Sequence, residues 1–235
     1  MKKKYLVITG ASRGIGLATA QLFKEDGFDV INVSRSISPL AGIRNIDIDL
    51  TKRGWELRIM GEVLPILHDA AQIVLVHNAG AIIKDSLPNL DIDEFRRVME
   101  INVIAPAQLT HLLLPALTPT SSIIYIGSTL GEIGVANCCA YVTSKHALIG
   151  LMRSTCQDLA GTGIHTACVC PGFTDTEMLR EHVGHSEEVL QAIAGGVAQK
   201  RLIQPQEIAR TIQFCAQNPV INGAVMHANL GQIQS

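Results

Sequence analysis

A single α/β domain built on a doubly wound sheet is the fold class this sequence predicts. Three observations point to it. Short apolar runs without polar alternation, such as Tyr5–Thr9, Ile73–His77 and Ser122–Ile126, have the make-up of strands buried on both faces. Helical stretches lie between them, and glycine or other small residues stand where the runs end. The length of 235 residues suits one such domain and is enough for a large core.

The first run leads straight into Gly10-Ala11-Ser12-Arg13-Gly14-Ile15-Gly16 and then a helical pattern through Lys24. Strand, glycine turn and helix form a phosphate-binding layout: glycines let the backbone approach a pyrophosphate, whose charge meets the free N–H groups and positive end of the helix. The spacing is G-x-x-x-G-x-G, not the general dinucleotide pattern G-x-G-x-x-G. The next strand, Asp29–Ser34, is expected beside the first, ending near an adenosine ribose. An acid there would bond both ribose hydroxyls and repel a 2′-phosphate. No acid occurs from Val30 to Leu40; Arg35 follows the strand and Arg13 lies in the glycine turn. Two guanidiniums without a competing carboxylate predict NADP(H) over NAD(H).

Residues 43–48 read as a third strand closing on Asp49-Leu50-Thr51, where Asp49 either caps a following helix or accepts a hydrogen bond from the adenine amino group. Gly54, Gly61 and Pro65 interrupt the helical segment from Thr51 to Ala70, a crossover without assigned chemistry. The strand Ile73–His77 ends in Asn78-Ala79-Gly80, which suits the floor of a ligand crevice or a plain turn. In the helix expected from Asp91 to Leu117, Pro106 removes the backbone bond that the Asn102 carbonyl would accept, leaving that carbonyl for a water.

The fifth run, Ser122–Ile126, ends in Gly127-Ser128, and 13 residues after Ser128 comes Tyr141-Val-Thr-Ser-Lys145. Tyrosine and lysine at this spacing project from one helix face. An ammonium beside a phenol favours the phenolate and so eases proton exchange with a substrate oxygen, which the serine can hold. The same pair also occurs as an ordinary surface ladder; its company upstream favours the chemical reading.

Bulk properties exclude several classes. A net charge of −2 gives no electrostatic basis for binding nucleic acid or an anionic membrane. The apolar stretch after Lys2-Lys3-Lys4 is too short for a signal segment or a span, so the chain reads as cytoplasmic. Six cysteines include no C-x-x-C pair and eight histidines no H-E-x-x-H, so buried or half-buried thiols and no metal site are expected.

The ordered set Thr9-Gly-x-x-x-Gly14-x-Gly16, Asn78-Ala-Gly80, Asn102, Ser128, Tyr141-x-x-x-Lys145 and Pro171-Gly172 resembles the short-chain dehydrogenase/reductase family across essentially the whole chain. The resemblance implies one Rossmann-type domain over residues 1–235, a doubly wound parallel sheet of about seven strands with helices on both faces. It implies that Tyr141 is the general acid in carbonyl reduction and the base in alcohol oxidation, that Lys145 lowers its pKa and bonds the nicotinamide ribose, that Ser128 orients the carbonyl oxygen, and that Asn102 holds a relay water. Gly10, Ser12, Arg13, Ile15 and Gly16 would cradle the phosphates. Arg35 would reach the 2′-phosphate, Asp49 and Leu50 the adenine, and Asn78, Ala79 and Gly80 the adenosine-side ribose; Pro171, Gly172, Thr174 and Thr176 would hold the nicotinamide carboxamide.

Two departures stand out: His77, where many members have Asn, and Ala228-Asn-Leu-Gly231, which only loosely matches the usual Asp-Gly-Gly end. Residues 173–199 should form a substrate lid or a helical hairpin packed on the core, with Met178, Leu179, Val183, Leu190 and Ile193 as apolar contacts; Val135, Cys138 and Phe173 join Met178 at the pocket mouth, and Arg180 could reach a carboxylate.

The layout is nearest to 3-oxoacyl-acyl-carrier-protein reductases, yet Leu117–Ser122 and Ala160–Gly163 lack the arginines with which those proteins dock a carrier. A free small carbonyl compound or alcohol is therefore the expected substrate. A carrier-linked substrate, a non-catalytic NADP-binding regulator and a nucleotide-sugar epimerase are the alternatives. A homo-oligomer, tetramer or dimer, is expected from surplus apolar surface on the helices at 91–117 and 139–159.

Overall fold

The computed structural model describes residues 2–232; Met1 and residues 233–235, the ends of the expected domain, lie outside the described residues. Seven strands, β1 (Lys4–Thr9), β2 (Asp29–Ser34), β3 (Arg44–Asp47), β4 (Gln72–His77), β5 (Ser122–Ile126), β6 (His165–Pro171) and β7 (Ala224–Ala228), form one sheet in the order β3-β2-β1-β4-β5-β6-β7. Every pairing is parallel. Tyr5 lies between Asp29 of β2 and Ile73 of β4, so the strand order reverses beside β1. All carboxyl ends share one edge of the sheet, and the crevice at such a reversal is where ligands bind doubly wound sheets.

Alternate side chains build two cores. On one face Val7, Leu75 and Ile123 pack with Leu109 and Leu113 of α5 (Ala105–Leu113) and with Leu148 and Met152 of α6 (Cys139–Asp158). On the other, Leu6, Ile8, Val74 and Ile124 meet Phe23 of α1 (Gly14–Glu25) and Ile208 and Ile212 of α9 (Pro205–Gln217). Each buried Leu, Ile or Phe contributes roughly 1.5–3 kcal/mol over its exposed state, and continuous burial of both faces is why these strands show as unbroken apolar runs.

The expected interruptions are present. The crossover runs as α2 (Trp55–Arg58), a π-helical turn (Ile59–Val63) and α3 (Leu64–Leu67). The long helix is α4 (Ile92–Met99), a second π-helical turn (Glu100–Ile104) and α5, with Pro106 just beyond the turn that holds Asn102. The third strand is shorter than residues 43–48. Sequence reading passed over α9 and β7: β7 is a half-exposed edge strand of low apolar contrast, and α9 begins at Pro205 after Gln204, whose N–H donates to Glu207 Oε2 at 2.8 Å. The segment between carries α7 (Glu177–His182) and α8 (Glu187–Gly195). Among the described residues no helix is long and apolar enough to cross a membrane, and no group of three His, Cys, Asp or Glu is placed to hold a metal. All six cysteines are free thiols, four of them buried.

Candidate active site

The glycine turn is shaped by its own backbone. Gly10 and Gly14 have φ of +73° and +55°, and a Cβ on Gly16 would collide with the Gly10 carbonyl oxygen. Asn32 Oδ1 accepts from Ala11 N–H at 2.9 Å, while Asn78 Nδ2 donates to the carbonyls of Thr9 and Gly10 at 2.9 and 3.0 Å. Thr9 Oγ1 accepts from the N–H groups of Asn78 and Ala79 at 3.0 and 2.9 Å. Asn78 is therefore a brace for the turn, and Thr9 and Asn32 share that work. The signal for Asn32 in the sequence is a polar residue inside an apolar strand.

Above the turn, α1 begins with no side-chain cap and no acid in its first turn. Its leading N–H groups remain available to an anion, and Ser12 and Ile15 flank them half-buried. These features fit a dinucleotide pyrophosphate. Arg13, expected among the phosphate ligands, extends instead to α7 and donates to Glu177 Oε2 at 2.6 Å and Glu181 Oε1 at 3.0 Å. Arg35 is exposed at the end of β2. Asp49 caps no helix, since α2 starts only at Trp55. Its Oδ1 accepts from Thr51 N–H at 3.0 Å and Thr51 Oγ1 at 2.7 Å. Burial would raise its carboxyl pKa, but the Thr51 bonds and the nearby Arg35 outweigh that and hold it below the usual value. Leu50 is buried in the core.

Asn102 is buried in its π-helical turn. Its Oδ1 accepts from Ala81 N–H at 2.8 Å, and its Nδ2 donates to Ala81 O at 3.0 Å and Ser144 Oγ at 2.8 Å. The side chain thus joins the loop after β4 to α6, and Pro106, four residues on, has no N–H to donate to its main-chain carbonyl. Gly80 keeps this space open: a Cβ there would lie 3.3 Å from Asn102 Oδ1 and 3.8 Å from Lys145 Nζ.

Ser128 caps the short 3-10 turn Thr129–Gly131, its Oγ accepting from Leu130 N–H at 3.1 Å. Lys145 is 5 % exposed. It donates to Ile126 O at 2.7 Å and stands 5.5 Å from the Tyr141 ring centroid. Burial pushes the Tyr141 phenol up to about 12, with the Ser128 hydroxyl pulling the other way. Burial also brings Lys145 down to about 8. Desolvation disfavours both charged forms here, and the ammonium spends its hydrogen bond on a strand carbonyl rather than on the phenol.

At the end of β6, Thr129 Oγ1 donates to Pro171 O at 3.2 Å. A Cβ on Gly172 would come within 2.9 Å of Asn229 Cα. Buried Thr174 donates to Gly172 O at 3.1 Å, and Thr176 Oγ1 accepts from Leu179 N–H at 3.3 Å to cap α7. Thr176 Cγ2 would sit 3.3 Å from a Cβ on Gly14, so the start of α7 lies against the glycine turn. Arg180 is not free for a substrate: it is clamped by Asp175 at 2.7 and 3.1 Å and by Glu187 at 2.8 Å. Leu190 is buried in packing, whereas Val135 and Met178, expected at the pocket mouth, are exposed, and Cys138 Sγ lies 4.0 Å from His182 Nε2. His77 is buried, its Nε2 2.8 Å from Thr110 Oγ1 and its ring 4.9 Å from that of Tyr125.

The short chain dehydrogenase family model matches residues 4–186. An uncharacterized oxidoreductase of Thermotoga maritima is 31% identical over 97% of this chain and 96% of its own. The 3-oxoacyl-[acyl-carrier-protein] reductase FabG of Vibrio cholerae is 31% identical over 98% of each chain. Among solved structures, ligand-free aldohexose dehydrogenase of Thermoplasma acidophilum superposes with a TM-score of 0.89 at 29% identity, covering 100% of this chain and 97% of that one. With its parallel seven-stranded sheet, its glycine turn and this match over most of its length, the chain belongs to the short-chain dehydrogenase/reductase family of oxidoreductases.

Proposed function

We propose that the protein is an NADP(H)-dependent oxidoreductase that interconverts a carbonyl and an alcohol on a small organic substrate. The observation that carries this reading is the meeting of Ser128, Tyr141 and Lys145 at the carboxyl end of β5, on the same edge of the sheet from which the uncapped α1 starts. A bound reduced nicotinamide supplies the hydride. Ser128 holds the substrate oxygen, and Tyr141, kept protonated at neutral pH by a pKa near 12, donates its proton to that oxygen. Lys145, with its pKa near 8, recharges the phenol through the ribose side, and the Asn102 carbonyl holds the water that links Lys145 to solvent.

Gly10, Ser12, Ile15 and Gly16 hold the pyrophosphate. Arg35 takes the 2′-phosphate, and the absence of an acid from Val30 to Leu40 supports NADP(H) over NAD(H). Asp49 and Leu50 border the adenine; Ala79 and Gly80 border its ribose. Pro171, Gly172, Thr174 and Thr176 hold the carboxamide, and residues 173–199 act as the lid. Exposed Ile92 and Ile104 support a homo-oligomer, tetramer or dimer. The reading includes a cytoplasmic location.

A carrier-linked 3-oxoacyl substrate is the second reading, favoured by the likeness to the Vibrio cholerae reductase. The lack of any arginine in Leu117–Ser122 and Ala160–Gly163 weighs against it. A screen of free and carrier-linked carbonyl compounds, following the absorbance of the reduced nicotinamide, tests both. In the same assay Tyr141→Phe is expected to keep NADPH affinity and lose at least about a hundredfold in kcat; near wild-type turnover would remove Tyr141 from the mechanism.

A further inference from the structure

The helix that carries Tyr141 and Lys145 does not cap itself. At the start of α6, Cys138 in the N-cap position makes no side-chain cap bond, and the first turn contains no acid. The missing acceptor comes from the loop after β4: Asp85 Oδ2 accepts from Ala140 N–H at 2.9 Å. The two main chains are tied as well, Asp85 N–H donating to Asn137 O at 3.2 Å and Cys139 N–H to Asp85 O at 3.5 Å, with Asp85 and Cys138 in an isolated parallel bridge. Asp85 is 9 % exposed, and its Oδ1 is buried without a hydrogen-bond partner. A carboxylate held this way needs the positive end of the helix it faces.

The attachments along α6 divide between its first and second turns. In the second turn, Lys145 is tied to Ile126 O at 2.7 Å and Ser144 Oγ accepts from Asn102 Nδ2 at 2.8 Å. Tyr141 is the third residue of the helix, in the first turn, whose N–H groups depend on acceptors outside the helix. There the side-chain acceptor is Asp85, on the residue just before Tyr141.

We propose that Asp85 is a positioning residue for the proposed acid, Tyr141: it sets the height and rotation of the first turn of α6 against the sheet, and hence where the phenol stands relative to Ser128. The inference rests on the proposed function for its catalytic half. It predicts that the two ends of the catalytic pair come apart on mutation. Loss of the Ala140 bond displaces Tyr141 and lowers kcat, while Lys145, held by the Ile126 carbonyl, keeps its place.

The test compares Asp85→Ala, Asp85→Asn and Asp85→Glu in the full-length protein by steady-state kinetics, NADPH titration and amide hydrogen exchange. Asp85→Ala is expected to lower kcat by about ten- to a hundredfold. NADPH affinity should stay within about threefold, and exchange should quicken at 139–142 but not at 145–158. Asp85→Asn keeps an acceptor oxygen in place and should restore most of kcat. Asp85→Glu keeps the charge but moves the acceptor and should not.

Wild-type kcat in Asp85→Ala, or equal loss of NADPH affinity and kcat, overturns the proposal. So does an active Asp85→Glu beside an impaired Asp85→Asn, which would mean that charge and not position matters. Should Asp85→Ala fail to fold, the Asn and Glu pair carries the same decision. If wild type turns over no carbonyl compound, the functional reading fails on its own, and the exchange pattern still decides whether Asp85 holds the turn that bears Tyr141.

Discussion

Arg13 and Glu177, 164 residues apart in sequence, meet at 2.6 Å and join the glycine turn to the first helix of the proposed lid. Glu181 adds a second contact at 3.0 Å. Arg13, one of the two guanidiniums expected to grip a 2′-phosphate, is thus already held by two carboxylates. Exposed pairs of this kind contribute about 0–1 kcal/mol each. The double variant Glu177→Gln/Glu181→Gln is therefore expected to tighten NADPH binding by roughly three- to tenfold at low salt while leaving NADH unchanged. Fluorescence titration of both cofactors at two ionic strengths measures the difference.

Arg35, exposed at the end of β2, is the guanidinium that the proposed function assigns to the adenosine phosphate. Replacing it with the acid expected in an NAD site, Arg35→Asp, should move the preference from NADPH toward NADH by at least about a hundredfold in the ratio of kcat/KM values. An unchanged ratio would place phosphate recognition elsewhere.

Lys145 titrates near 8 in the folded protein against an ordinary value of 10.5. Between those values the unfolded chain binds a proton that the folded chain does not. Stability should therefore rise as the pH climbs from about 8 to 10.5, by up to about 3 kcal/mol from this group. Lys145→Met should remove that rise, which urea unfolding across the window would measure.

His77 gives the opposite limb of the curve. Burial lowers its pKa from 6.5 to about 3, so below 6.5 the unfolded chain gains a proton that the folded chain refuses. Stability should fall as the pH drops through this range, and His77→Asn should flatten that slope whatever it does to stability at neutral pH. An identical acid slope in the variant would show that other groups set it.

The features legible in the sequence were those imposed locally. Buried strands β1, β4 and β5 left unbroken apolar runs because both their faces are covered. The turn at Gly10, Gly14 and Gly16 left glycines because side chains there would be strained or collide. The pairing of Tyr141 with Lys145 followed from helical period.

What escaped was set by distance or by environment. The Asp85 contact with Ala140 spans 55 residues and that of Arg13 with Glu177 spans 164, so no local pattern announces either. The direction of the Tyr141 shift depends on how much water burial removes, which spacing does not encode. Half-exposed β7 lacked the apolar contrast that marks its neighbours.

The sheet order also bears on when function can first appear during synthesis. β1 is made before β4 and must wait for it to cover its second edge, and the proposed crevice gathers residues from Gly10 through Thr176. A nascent or truncated chain ending before β6 would have the glycine turn but not the segment from Pro171 to Thr176 proposed to hold the carboxamide. Turnover would then register only chains that have brought distant segments into register, making it a stricter gauge of correct folding than helical content, which α1, α5 and α6 would supply well before the last strand is in place.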